Sequence, residues 1–164
     1  KMFLCPSAPK DMVGKAWAHA PTVFMGGYGY NFQYLGNSRF PFVAPDAAVQ
    51  VPAQTVVVAD THGCGYDAGI RNVGNYTIDP PLPSLRGSHP SNPGTGFYGD
   101  AGKGECGGAY GCRAVPAERH SGMISVTFAD GHSKATKLSR LDDSNGDGQS
   151  DNGYWNGLGD PLVR

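Results

Sequence analysis

Two stretches of the chain carry a hydrophobic pattern that predicts strands. The run Gln54-Thr55-Val56-Val57-Val58-Ala59-Asp60 is β-branched and continuous, which predicts a central strand covered on both faces, with Asp60 opening a polar turn. In Met123-Ile124-Ser125-Val126-Thr127-Phe128-Ala129 apolar and polar residues alternate, Asp130-Gly131 follows, and His132-Ser133-Lys134-Ala135-Thr136-Lys137-Leu138 returns. An Asp-Gly pair between two such runs predicts a hairpin closed by a type I′ turn, with positive φ at both central residues. Elsewhere the pattern is weaker. Residues 9–20 predict a short helix limited by Gly14 and Pro21. Residues 24–35, with Tyr28-Gly29-Tyr30-Asn31 at their centre, read as an irregular strand or an aromatic loop on the core. The opening Lys1-Met2-Phe3-Leu4-Cys5-Pro6 reads as an apolar strand entering a turn, packed on something upstream. Residues 61–118 hold Pro80, Pro81, Pro83, Pro90, Pro93 and many glycines and read as loop. So long a loop in a compact domain is either functional surface or a lid stapled by cysteines. The elements together predict one domain over residues 1–164, of α+β class, built mainly on an antiparallel sheet with long Gly/Pro-rich loops.

Composition agrees with that outline. With 25 glycines and 13 prolines in 164 residues, the two types reach about twice their usual share, which disfavours a helical bundle. Aromatics at 10% argue for a packed core rather than disorder. The formal net charge is −1 and there is no basic run, which excludes a nucleic-acid partner. Apolar runs are of strand length, short of the roughly 20 residues a membrane span needs.

Four cysteines, Cys5, Cys64, Cys106 and Cys112, in a loop-rich chain of low charge suggest disulfides and an oxidising compartment. The tightest pair is Cys106–Cys112, closing Gly107-Gly108-Ala109-Tyr110-Gly111, and Cys5–Cys64 remains. Sequence alone allows three connectivities. Zinc drawn from His62, Cys64, His89, Cys106, Cys112, His120 and His132 is disfavoured, because no C-x₂-C or H-x₃-H spacing occurs.

In Asp143-Ser144-Asn145-Gly146-Asp147-Gly148-Gln149-Ser150-Asp151 oxygen side chains fall at the first, third, fifth and ninth places, with Gly at the sixth. That spacing wraps a chain around one hard cation and predicts a Ca²⁺ site on a loop spanning about residues 142–160. Its ligands are Asp143, Asn145, Asp147 and Asp151, with Gln149 contributing its backbone carbonyl. The twelfth place is Tyr154 rather than a bidentate Glu, so Asp142, Asn152, Asp160 or a backbone oxygen must complete the ring. The alternative is an Asx-rich turn without metal.

His120 precedes Asp130-Gly131 by nine intervening residues. This resembles the C-terminal signature of the prepilin-type H-X9-DG proteins, a pilin-like family of planctomycetes and related bacteria. Phe3-Leu4-Cys5-Pro6-Ser7 is similar to that family's segment after the long N-terminal helix, Tyr28-Gly29-Tyr30-Asn31 to its aromatic stretch, and residues 56–60 to its strand ending in Asp. The resemblance covers nearly the whole chain. It implies a pilin-like globular domain that tiles the outside of an extracellular type IV pilus-like or type II pseudopilus-like filament at the cell surface. His120, Asp130 and Gly131 would then be structural, with Asp130 serving the turn and His120 hydrogen-bonding near the strand start. Major pseudopilins of type II secretion and dockerins also carry calcium sites of this general kind. Family members have a prepilin leader and a long hydrophobic helix, and this sequence has neither. The resemblance therefore implies a helix from a longer precursor or from a separate short hydrophobic polypeptide, contacting residues 1–5 and the outer face of the 123–138 hairpin. Tyrosines, phenylalanines and Gly-rich loops would supply the subunit contacts.

Two other readings stand beside this one. A secreted carbohydrate- or surface-binding module would use Trp17, Trp155 and the tyrosines as stacking platforms. A secreted hydrolase would use His120 and Asp130 as an acid–base pair; no nucleophile elbow accompanies them, and the expectation is a protein that is not an enzyme.

Overall fold

The computed structural model describes residues 4–8, 16–17, 20–24, 27–36, 44–64, 77–82, 84 and 113–164. It is a mostly antiparallel β structure with little helix, consistent with the α+β expectation. A two-stranded ribbon joins β1 (Ala16–Trp17) and β2 (Ala20–Phe24). The described part of the 9–20 segment is thus strand, not the expected helix. The main sheet comprises β3 (Tyr28–Tyr30), β4 (Val56–Cys64), β5 (Ala114–Pro116), β6 (Ile124–Phe128) and β7 (Ser133–Thr136). Its order is β3-β4-β6-β7, and β5 pairs with the far end of β4. Among the described residues two single-turn α-helices, α1 (Phe32–Leu35) and α2 (Leu138–Leu141), and two 3₁₀ turns, Asp46–Ala48 and Pro52–Gln54, accompany the sheets.

The β-branched run is the central strand, flanked by β3 and β6, but it begins at Val56 and is not covered on both faces as expected, since Val57 and Val58 are only half-buried. It does not turn at Asp60. The strand continues to Cys64, because Thr61 and Cys64 find partners in Pro116 and Ala114 of β5. Residues 24–35 divide into β3 and then α1. Gly29 of β3 pairs with Ala59, and a Cβ there would collide with the Thr77 carbonyl, so the 77–79 segment can cross directly over the strand.

The predicted hairpin forms with a different turn. The Gly131 N–H donates to the Phe128 carbonyl and the Phe128 N–H to the His132 carbonyl, both at 2.9 Å. Gly131 has φ +91°, while Asp130 is absent from the residues with positive φ. This is a three-residue loop with glycine in the left-handed position, not a type I′ turn. The I′ pattern of positive φ occurs instead at Ser121 (φ 55°) and Gly122 (φ 75°), between His120 and Met123, which exchange two 3.1 Å backbone hydrogen bonds.

The core gathers Tyr34, Val56, Ala59, Ile78, Ile124, Val126, Phe128, Leu141 and Trp155. Alternation in β6 sends Ile124, Val126 and Phe128 inward and Ser125 outward. Trp155 is fully buried, so it is a core residue and not the exposed stacking platform considered from sequence; the side chain of Trp17 lies outside the described residues. The segment carrying Trp155 has no regular structure, and buried amides satisfy its backbone. Asn31 Nδ2 donates to the Val56 and Trp155 carbonyls at 2.9 and 3.0 Å. Asn152 donates to the Leu82 carbonyl and to the Tyr34 hydroxyl, and accepts from the Leu82 N–H. These side chains do what a ladder would do elsewhere, since a buried carbonyl without a donor is costly. Among the described residues no helix is long and apolar enough to cross a membrane.

Candidate functional site

Asp60 sits in the middle of β4 with its side chain fully buried. A carboxylate there needs partners. Oδ2 accepts the Ser125 N–H at 2.9 Å, fixing the carboxylate against the start of β6. The other neighbour is His120, at the turn leading into β6, whose Nε2 lies 3.2 Å from Oδ2 and 3.4 Å from Oδ1. The same nitrogen lies 3.6 Å from the Sγ of Cys5, which is 2% exposed. Ligand atoms of Cys5, Asp60 and His120 all fall within 4.8 Å of one another, and among the described residues this is the group of three or more His, Cys, Asp or Glu that is so arranged.

The surroundings are built to admit it. A Cβ on Gly27 would lie 2.7 Å from Arg119 Nη1 and 3.1 Å from Cys5 Cβ, and Gly27 has φ +84°. Only glycine lets those side chains approach at that backbone conformation. Arg119 donates through Nη2 to the Thr61 carbonyl, while its buried Nε and Nη1 have no partner among the described residues. Burial pushes the Tyr28 hydroxyl above its ordinary range, reinforced by Cys5, which hydrogen-bonds it, and by Asp60; Arg119 acts in the opposite sense. Burial likewise lowers His62, with Arg119 adding to the effect.

The cluster does not have the geometry of a catalytic relay. A nucleophile–His–Asp arrangement places the acid on one imidazole nitrogen and the nucleophile on the other. Here both converge on Nε2, and the sulfur is buried, as in inert structural cysteines.

The sequence-predicted residues fall as follows. His120 and Asp130 do not pair, for they lie at opposite ends of β6. Asp130 Oδ1 accepts from the His132 backbone at 3.1 Å and contacts His132 Nδ1 at 2.6 Å, so it serves the turn, as expected. The His132 backbone N–H, then its side chain, holds the Asp130 carboxyl below its usual range. Cys5 is a free thiol, so the expected Cys5–Cys64 bond is not formed. The cause is placement: Cys5 packs at Asp60, whereas Cys64 is four residues further along β4, about 13 Å at strand rise. The side chain of Cys64, and all of Cys106 and Cys112, lie outside the described residues.

In the 143–151 loop, Asp143 accepts N–H groups from Gly146, Asp147 and Gly148 at 2.7, 3.1 and 3.0 Å. Asp147 Oδ1 accepts from Gln149, Asn145 Oδ1 accepts from Asp147, and Asn145 Nδ2 donates to Asp147 Oδ2. Asp151 accepts from Ser144 and Gly153. The chain winds around Asp143 as the spacing predicts, with Gly146 and Gly148 at positive φ, but the carboxylates turn to backbone amides and do not form a convergent group. The residues considered for completing the ring are engaged elsewhere. Asp142 forms a bidentate pair with Arg113 at 2.6 and 2.7 Å, Asn152 is buried against Leu82 and Tyr34, and Asp160 accepts from the Leu162 N–H.

Asp60 was read as the end of a strand and Cys5 as half of a disulfide, each also as part of a family-like stretch, and neither as a member of a shared polar cluster. A carboxylate directly following a β-branched run is the signal that could have flagged Asp60, because a buried strand tolerates it only with a partner.

Comparison with known proteins finds no matching family model, no matching curated protein and no matching solved structure.

Proposed function

We propose that this chain is the outer globular part of a subunit of an extracellular type IV pilus-like or type II pseudopilus-like filament, working by assembly rather than catalysis. One observation carries the reading. The four family-like stretches are far apart in sequence yet pack on one another: Tyr28, Gly29 and Tyr30 pair with Asp60, Ala59 and Val58, and His120 reaches both Asp60 and Cys5. Residues of all four stretches thus meet at the centre of the sheet, while Asp130-Gly131 closes the hairpin at the far end of β6, and such convergence is what a fold-defining motif requires. The alternatives draw less support, since Trp155 is core and His120 does not meet Asp130.

On this reading the subunits self-associate into a helical filament. Its core is a hydrophobic helix supplied by a longer precursor or by a separate short chain, docking near residues 1–5 and the outer face of the β6–β7 hairpin. Strand β7 lies at the sheet edge with Ser133, Lys134 and Ala135 exposed. Lys134 there discourages uncontrolled edge pairing. In the loop over residues 142–160, Asp143, Asn145, Asp147, Asp151 and the Gln149 carbonyl would hold Ca²⁺, a hard cation suited to these oxygen ligands.

The test is immunogold negative-stain microscopy of native cell-surface material with antibody to this domain. Regularly labelled helical filaments whose intact mass includes a hydrophobic helix are expected. Label confined to non-filamentous monomers, or a filament lacking any helical core, would overturn the proposal.

A further inference from the structure

The three donors at the centre of the sheet have a spacing that hydrogen bonding alone explains poorly. His120 Nε2 carries at most one proton, yet Asp60 and Cys5 both converge on it. Charge-assisted N–H···O bonds close to about 2.7–2.9 Å, and this protein forms such contacts elsewhere: 2.6 Å for His132–Asp130 and 2.6 Å for Arg113–Asp142. The buried His120–Asp60 pair stays open at 3.2–3.4 Å, and the sulfur at 3.6 Å.

Those are the edges of a coordination tetrahedron. With Zn–S of about 2.3 Å and Zn–N and Zn–O of about 2.0–2.2 Å, the ligand-to-ligand edges come to about 3.5 Å for S to N and about 3.4 Å for N to O. The donor set selects the ion: one thiolate, one imidazole and one carboxylate suit zinc, whereas calcium takes oxygen ligands alone. We infer that Cys5, Asp60 and His120 form a site for one tetrahedral divalent transition-metal ion of the zinc class, which clips the segment around Cys5 to the sheet.

Supporting contacts surround these ligands, as metal sites require. The Ser125 N–H holds Oδ2 of Asp60, leaving Oδ1 for the ion. The Arg119 guanidinium shares the space beside Gly27 with Cys5. Two anionic ligands neutralise the dication. The His120 side chain is 33% exposed while Asp60 is sealed, so the fourth vertex faces the solvent side and takes water. One ion would join residues 115 and 60 positions apart in sequence, as small cores often need.

The experiment titrates Co²⁺, then Zn²⁺, into the purified full chain with Ca²⁺ in excess. It uses the wild type and a variant carrying Cys64→Ser, Cys106→Ser and Cys112→Ser, which leaves Cys5 the only thiol. One equivalent of Co²⁺ should give a thiolate-to-cobalt charge-transfer band and the visible bands of a tetrahedral ion, and one equivalent of Zn²⁺ should remove both. Cys5→Ser should abolish the charge-transfer band, Asp60→Asn should weaken affinity by about tenfold or more, and Asp147→Ala should leave the spectrum unchanged. If the triple variant folds poorly, the difference between wild type and Cys5→Ser decides. A folded wild type without the band, a band that survives Cys5→Ser, or a native Cys5–Cys64 disulfide would overturn the inference.

Discussion

In the 143–151 loop the candidate ligands are close neighbours in sequence, whereas Cys5, Asp60 and His120 come from three distant segments. The loop has the spacing of a cation site, yet its carboxylates accept backbone amides from their own turn. The central cluster has no sequence spacing at all, yet its atoms converge within 4.8 Å on one buried spot. The difference follows from what holds each in place. Short Asx side chains on a loop find local N–H groups, so such a loop can hold its winding whether or not an ion is bound. Asp60 is fixed on β4, with one carboxylate oxygen taken by the Ser125 N–H and the other beside His120, and Cys5 and His120 reach it from turns on either side. Sequence spacing therefore reports the capacity to wrap a cation, whereas convergence reports which side chains the fold brings together.

The support beneath the two regions also differs, and the largest expected effects test it. The loop is anchored to the core by Trp155, which is fully buried and whose Nε1 donates to the Leu141 carbonyl at 3.3 Å. Trp155→Ala should cost about 3–5 kcal/mol of stability, measured by denaturant unfolding. A cost below about 1 kcal/mol would mean that the loop does not hang on the core.

The next effect concerns Arg113, which binds Asp142, donates to the Asp79 carbonyl at 2.9 Å and lies 6.0 Å from the Trp155 ring centroid. Burial raises Asp142 above its ordinary range, with Arg113 opposing. Arg113→Ala strands that carboxylate and should destabilise by about 3 kcal/mol, whereas Arg113→Met with Asp142→Leu should recover most of the loss. A double variant no more stable than the single one would contradict this account of the anchor.

Calcium separates the two regions directly. Ca²⁺ should raise the melting temperature of the wild type, EDTA should reverse the rise, and Asp147→Ala should abolish it without altering the thermal response to zinc. If calorimetry detects no Ca²⁺ binding at millimolar concentration, the loop is an Asx turn and nothing more.

The smallest effect lies at the hairpin tip, which neither region touches. The folded pKa of Asp130 is depressed, chiefly by the His132 backbone N–H and then by its side chain. Its contribution to stability is therefore present above the unfolded value of about 3.9 and is lost as pH falls through the lower folded value. An NMR titration should find Asp130 titrating below that value, and His132→Ala should shift it upward. An unshifted midpoint in the variant would remove the His132 side chain from the explanation.

The hairpin was legible because alternation reports a strand with one buried face. Its turn was misread because Asp130 engages His132, so glycine alone takes the left-handed position, while Ser121-Gly122 adopts the expected backbone without an Asp-Gly signature. The central strand was legible from its valines, but its end was not. Asp60 looked like a turn because a buried carboxylate is rare without a partner, and its partner sits 60 positions away. Trp155 resembled an exposed platform because no periodicity surrounds it; buried amides from Asn31 and Asn152 stand in for secondary structure there. Alternation and the Asp-Gly pair marked the hairpin, but no rule of spacing joins His120 to Cys5.

The most direct test of the division between the regions is anomalous diffraction from crystals grown with equimolar Zn²⁺ and excess Ca²⁺, measured on both sides of the zinc edge. The account predicts one zinc peak within about 2.0–2.3 Å of Cys5 Sγ, Asp60 Oδ1 and His120 Nε2, with no zinc in the 143–151 loop. Zinc found only among Asp143, Asp147 and Asp151, or continuous density from Cys5 to Cys64, would contradict it.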